Sequence, residues 1–145
     1  MAASITFYDN WKAAIAEVVP RTASFRVTLH TSAYTFAATH SVYANLTNEL
    51  STANGYTSSG FLLTGVTWSQ TSGTATFDAA DASWTASGGS IVARRAVIRA
   101  IGTFNSQVDP LVASILMDTT PADITLTTGN TLTLQWNASG IFTLA

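Results

Sequence analysis

SIVARRAVIRAI, residues 90–101, is the stretch whose reading decides the fold. In an extended chain alternate side chains share a face. One set is Val92, Arg94, Ala96, Ile98 and Ala100; the other is Ile91, Ala93, Arg95, Val97, Arg99 and Ile101. Both sets are mostly apolar, so the spacing predicts a strand buried on two faces, in the middle of a sheet or at a subunit contact. Gly88 and Gly89 precede the run and Gly102 ends it.

The flanking sequence extends that pattern. Phe25, Val27 and Leu29 alternate with Arg26, Thr28 and His30, which predicts a half-buried strand with His30 on its polar face. Further strands are expected at 60–70, 74–79, around Trp84, at 110–116, 124–127, 131–136 and 141–144. Ser72-Gly73 and Gly129-Asn130 are the hairpin signals. Residues 31–54 read as a long loop with at most one short helix or strand, a length usually tied to function or contact. The start differs: Phe7, Trp11, Ala14, Ile15 and Val18 fall at helical spacing. Thr6 is a candidate cap, Asp9 the capping-box acid, and Pro20 a stop, giving a helix over about 6–18. The expectation is a single domain over 1–145: an all-β, antiparallel β-sandwich, or jelly-roll-like fold, over about 23–145 with that one short N-terminal α-helix on its flank.

Composition bounds the function. Of the 145 residues, 47% are apolar and only 10% charged, with a net charge of −2. So neutral a surface, built from Thr, Ser, Asn and Ala, is weakly defended against association. One lysine and five arginines, three of them in one apolar strand, form no basic patch, so no nucleic-acid partner is expected. No membrane span or secretory signal is expected either. The chain has no cysteine, which excludes disulfides and thiolate chemistry.

Catalytic constellations are missing from the sequence, and no enzyme activity, catalytic residue, metal site or cofactor is expected. His30 and His40 form no metal-ligand pair, and there is no Gly-x-Ser-x-Gly elbow or phosphate loop. Asp78 with Asp81, and Asp118 with Asp123, could hold calcium but are also ordinary turn residues. Glu49 could pair with an arginine of the central strand. Arg94, Arg95 and Arg99 have two open readings: a structural stack on Trp84 or Trp68, or an intersubunit contact. Trp68, Tyr34, Tyr43 and Tyr56 are the aromatics open to a glycan-binding role. Tyr34, Phe36, Tyr43, Arg95 and Arg99 are the candidate interface residues.

Several short motifs occur in order along the chain: Phe25-Arg26-Val27-Thr28-Leu29, Thr47-Asn48-Glu49-Leu50, Gly55-Tyr56-Thr57, Leu63-Thr64-Gly65-Val66-Thr67, Asp78-Ala79-Ala80-Asp81, Trp84, Ala93-Arg94-Arg95-Ala96-Val97-Ile98, and Trp136-Asn137-Ala138-Ser139-Gly140-Ile141-Phe142. The series resembles a family of small virion structural proteins of tailed bacteriophages, described as head decoration or minor structural proteins. The resemblance implies a virion component at the capsid surface, assembled in the host cytoplasm, whose partners are the major capsid protein and/or copies of itself. Capsid decoration, or cement, bridging capsomers is the leading expectation. A neck or tail-associated structural protein, or a tail-borne glycan- or receptor-binding module, is the alternative. No active-site residues come with the family. Asn48, Glu49, Gly55, Tyr56, Arg94, Trp136 and Asn137 are expected to be structural or contact residues.

Overall fold

The computed structural model describes residues 3–9, 22–120 and 122–144. Fourteen strands make up the described chain, all paired antiparallel. Its largest sheet has five: β1 (Ser4–Phe7), β2 (Ser24–His30), β3 (Phe61–Leu62), β8 (Arg95–Ile101) and β11 (Leu111–Leu116), in the order β1-β11-β8-β2-β3. Strand β8 lies at its centre, between β2 and β11, and its five inner residues are all buried. The doubly apolar pattern of residues 95–101 therefore has the predicted cause.

The run is not one strand, however. Its first part is β7 (Ile91–Ala93), which pairs with β12 (Ile124–Leu126). Arg94 is the joint: its N–H donates to the His30 carbonyl at 2.9 Å, and its carbonyl accepts from Met117 N–H at 3.1 Å. One continuous sequence pattern thus serves two sheets.

Register sets the faces of the large sheet. Phe25 lies opposite Ala100, Val27 opposite Ile98 and Leu29 opposite Ala96, while Ala113 links Ile98 to Phe7 of β1. Aromatic rings of a second layer pack on this face. Phe77 of β5 (Thr74–Asp78) meets Phe25 at 4.8 Å between centroids, and Phe142 of β14 (Phe142–Leu144) meets Phe7 at 5.1 Å. Phe77 and Phe142 stack on each other at 5.0 Å. The alanines of β8 leave room for these rings, each of which contributes roughly 1.5–3 kcal/mol when buried. Strand β4 (Thr67–Thr71) completes the three-stranded sheet β14-β5-β4, and β6 (Ala82–Thr85) pairs separately with β13 (Thr131–Leu134).

Ser72 and Gly73, both at positive φ, join β4 to β5 as the turn residues foretold. Asn105 and Ser106, also at positive φ, close a second small hairpin between β9 (Thr103–Phe104) and β10 (Gln107–Val108).

Four expectations need correction. Among the described residues no N-terminal helix is seen: Thr6 and Phe7, its expected first turn, lie in β1, opposite Ser114 and Ala113. Register with an already buried strand satisfies their backbone groups and places Phe7 on Phe142. The other expected helical positions, residues 10–18, fall outside the described residues. Gly129-Asn130 does not close a hairpin, because β12 pairs with β7 and β13 with β6. The expected strand over 60–70 is broken at Gly65, φ 60°, into β3 and β4, which belong to different sheets. Finally, β2 is not half-buried: Thr28 and His30 are fully enclosed.

Candidate interface over the central sheet

The second face of the large sheet carries Arg26 and Arg99, Thr28 and Val97, and His30 and Arg95 as cross-strand neighbours. Water would solvate such a row on an ordinary outer face. Here residues 31–60 lie across it, and three polar attachments fix them in place.

The first attachment is His30. Its Nδ1 lies 2.9 Å from the Thr47 carbonyl and its Nε2 2.9 Å from Thr28 Oγ1. A carbonyl can only accept, so Nδ1 carries the proton, and the neutral ring accepts the Thr28 hydroxyl proton at Nε2. Burial holds the His30 pKa below the usual histidine value, opposed by the Thr47 hydrogen bond and by Glu49. The Tyr34 ring lies 5.0 Å from the His30 ring, and Arg95 and Glu49 are the strand neighbours of His30. The Tyr34 hydroxyl in turn lies 2.9 Å from the Tyr8 hydroxyl and 3.3 Å from His40 Nδ1.

Glu49 is the second attachment. Its carboxylate accepts from the Tyr43 hydroxyl, from the Tyr56 hydroxyl at 2.7 Å and from the Ser59 N–H at 2.7 Å. Tyr56 is 2% exposed, and its hydroxyl oxygen also accepts from Leu29 N–H at 3.1 Å. Burial and then Glu49 keep that hydroxyl protonated throughout the ordinary pH range. The expected pairing of Glu49 with a central arginine is replaced by this tyrosine cradle. Charge-assisted hydrogen bonds are worth roughly 1.5–3 kcal/mol each against loss of the acceptor. Glu49→Ala is therefore expected to lower stability by about 2–4 kcal/mol and Glu49→Gln by about half that, as read by urea denaturation followed by tryptophan fluorescence.

The third attachment is a pair of arginine stacks. The Arg99 guanidinium lies 3.9 Å from the Tyr43 ring centroid and that of Arg95 5.7 Å from Phe36. Arg99 also donates to Asp109 Oδ2 at 2.5 Å and to the Ser59 carbonyl at 3.3 Å, while Arg95 donates to Ser114 Oγ at 3.3 Å. The structural-stack reading of these arginines is realised on Tyr43 and Phe36, not on Trp84 or Trp68. Arg94 turns the other way and forms a surface pair with Asp123 at 2.8 Å, worth at most about 1 kcal/mol.

The five candidate interface residues thus converge on one face, in different roles. Tyr34 and Arg99 are buried and hold the loop from beneath; Phe36, Tyr43 and Arg95 are half-buried. What faces solvent beside Tyr43 is a groove of about 600 Å³ between Val42–Ala44, in and before the 3-10 turn Tyr43–Asn45, and residues 106–109 of the small hairpin. Val108, 63% exposed, stands at its edge. Sequence reading missed Val108 and the ion-pair partner Asp109. The signal that could have found them is Asn105-Ser106, a two-residue turn between Phe104 and Gln107 and just before Val108.

The motif residues have structural roles. Asn48 adopts φ 56°, and Gly55 adopts φ 89° with its Cα so close to Thr85 that an added Cβ would lie 2.1 Å from the Thr85 oxygen. Trp136 donates from Nε1 to the Ala80 carbonyl and from its backbone to Asp81 Oδ1. Asn137 Oδ1 accepts from Ser139 N–H.

The carboxylates once open to calcium are used locally. Asp78 accepts from Ala79 N–H, and Asp118 from the N–H and hydroxyl of Thr120, which hold its pKa below the usual range. No group of three or more metal-ligating side chains gathers among the described residues. Of the aromatics open to a glycan, Tyr34 and Tyr56 are buried, Trp68 packs on Phe77 at 4.7 Å, and Tyr43 is covered by Arg99. No helix among the described residues is long and apolar enough to cross a membrane. The chain matches no protein-family model, no curated protein and no solved structure.

Proposed function

We propose that the chain is a virion structural protein of a tailed bacteriophage, and that it acts as a capsid decoration or cement protein bridging capsomers. The observation that carries the reading is the braced loop face. A segment of some thirty residues is fixed over the central sheet by His30, Glu49 and two arginine stacks, and it borders a groove with an exposed Val108. Ordering a long loop before contact removes an entropy cost from every docking event. Where many copies dock on one shell, a small gain per contact multiplies. Low charge suits repeated protein contact, and low basicity disfavours a position against the genome. The ordered motif series supports the same assignment.

In this reading the outer side of the loop and the β9–β10 hairpin meet the major capsid protein or a neighbouring copy. Phe36 and Tyr43 form the floor, and Tyr34, Arg95 and Arg99 secure it from within. The packed sheets are then the leaves of one antiparallel sandwich. Electron microscopy of the particle, with this chain located in the map, tests the assignment. Hundreds of copies on the shell are expected. Six or twelve at the neck or tail would reassign it to a connector role, and its absence from purified particles would remove it from the virion.

A further inference from the structure

A second concavity, of about 480 Å³, lies beside β3, at the end of the large sheet opposite β1. Its walls are β3 and β6, an end strand of the five-stranded sheet and a member of a two-stranded pair, with Gly55, Thr57 and Gly60 of the covering segment between them. Phe61 and Leu62 supply one side, and Ser83 and Thr85 of β6 the other; Leu62 is 44% exposed. Arg26 opens into it from β2.

Arg26 is electrostatically unbalanced. Its cross-strand neighbour on the central side is Arg99, and like charges directly opposite disfavour pairing. Arg99 is neutralised by Asp109. Arg26 donates from Nη1 to the Gly60 carbonyl at 2.8 Å and has no ion pair among the described residues. A guanidinium has five N–H groups in a planar fork. With Nη1 engaged, the edge formed by Nε and Nη2 remains, and that edge matches the two oxygens of a carboxylate. Beside it are hydroxyls and an exposed leucine.

We propose that this concavity docks a segment of a partner protein bearing an Asp or Glu next to an aliphatic side chain, with the carboxylate on Arg26 and the aliphatic group on Leu62. Charge complementarity selects the occupant: the site offers one uncompensated cation and apolar surface but no second cation to suit a phosphate. This assignment does not rest on the virion reading, and holds for any acidic partner.

Isotope-labelled full-length chain, titrated at low salt with acetyl-Leu-Asp-Leu-amide and separately with acetyl-Leu-Asn-Leu-amide, tests it by NMR. The acidic peptide is expected to shift the Arg26 Nε–H and Leu62 methyl signals saturably and to bind at least fivefold tighter than the amide peptide. Arg26→Gln should erase that preference and Arg26→Lys should keep part of it, with both variants first shown to be folded by their amide spectra. Equal binding of the two peptides, or an undiminished preference in Arg26→Gln, would overturn the proposal. Acetate binding as tightly as the peptide would reduce the site to a simple anion site. A concentration-dependent dimer lost in Arg26→Gln would assign the groove to a second copy instead.

Discussion

Replacing Asp109 with alanine is expected to destabilise the protein by about 2–4 kcal/mol. Asp109 holds Arg99, which is only 4% exposed, and its second oxygen accepts from Gly102 N–H at 2.8 Å. Truncation strands a guanidinium in a place where water cannot replace the lost charge. Arg99 Nε already has no hydrogen-bond partner, so the group has little reserve. The penalty belongs to the unpaired ion more than to the bond. Arg99→Met combined with Asp109→Asn should therefore recover a substantial part of the loss, because Asn tolerates the positive φ of 51° and methionine still packs on Tyr43. A double-mutant cycle in urea measures this. Additive losses in the double variant would show that Asp109 acts through the Gly102 turn and not through Arg99.

Acidification is expected to give the second large effect. His30 is neutral in the fold because burial lowers its pKa, whereas in the unfolded chain it titrates near the ordinary value of about 6.5. Between the lowered folded value and about 6.5, the unfolded state binds the extra proton. Stability is therefore fully present above pH about 6.5 and falls as the pH drops, by up to about 1.4 kcal/mol per pH unit. His30→Gln keeps a donor for the Thr47 carbonyl and an acceptor for Thr28, and should flatten the slope between pH 6.5 and 5. Urea midpoints across that range provide the check. A slope unchanged in His30→Gln would place the titrating group elsewhere. Since Thr47 is held through His30, hydrogen exchange across residues 42–50 should rise at the acid end.

Much of the all-β architecture was legible along the chain. Alternation is local: Phe25, Val27 and Leu29 need one buried face whatever covers the other, and the two apolar sets of residues 95–101 need cover on both faces. Turn chemistry is local too, and Ser72-Gly73 reads directly as a hairpin. Partner choice is not local. Nothing in Gly129-Asn130 tells that β12 and β13 join different strands, and nothing in Thr6 and Phe7 tells that they pair along the edge of β11.

For the candidate interface, the sequence by itself determined a set of candidates: Tyr34, Phe36 and Tyr43 in a long loop, a lone Glu49 in the same loop, and arginines in an apolar strand. Only the tertiary structure decided what each does. Thr28 and His30 alternate with core residues and read as solvent-facing until residues 31–60 are laid over them. Arg95 and Arg99 read as suited to a structural stack on a tryptophan, with a subunit contact as the other reading, until register brings them under Phe36 and Tyr43. The physical reason is that a side chain's face follows from its own strand, but the cover on that face comes from a segment whose position depends on hydrogen bonds formed across the whole chain.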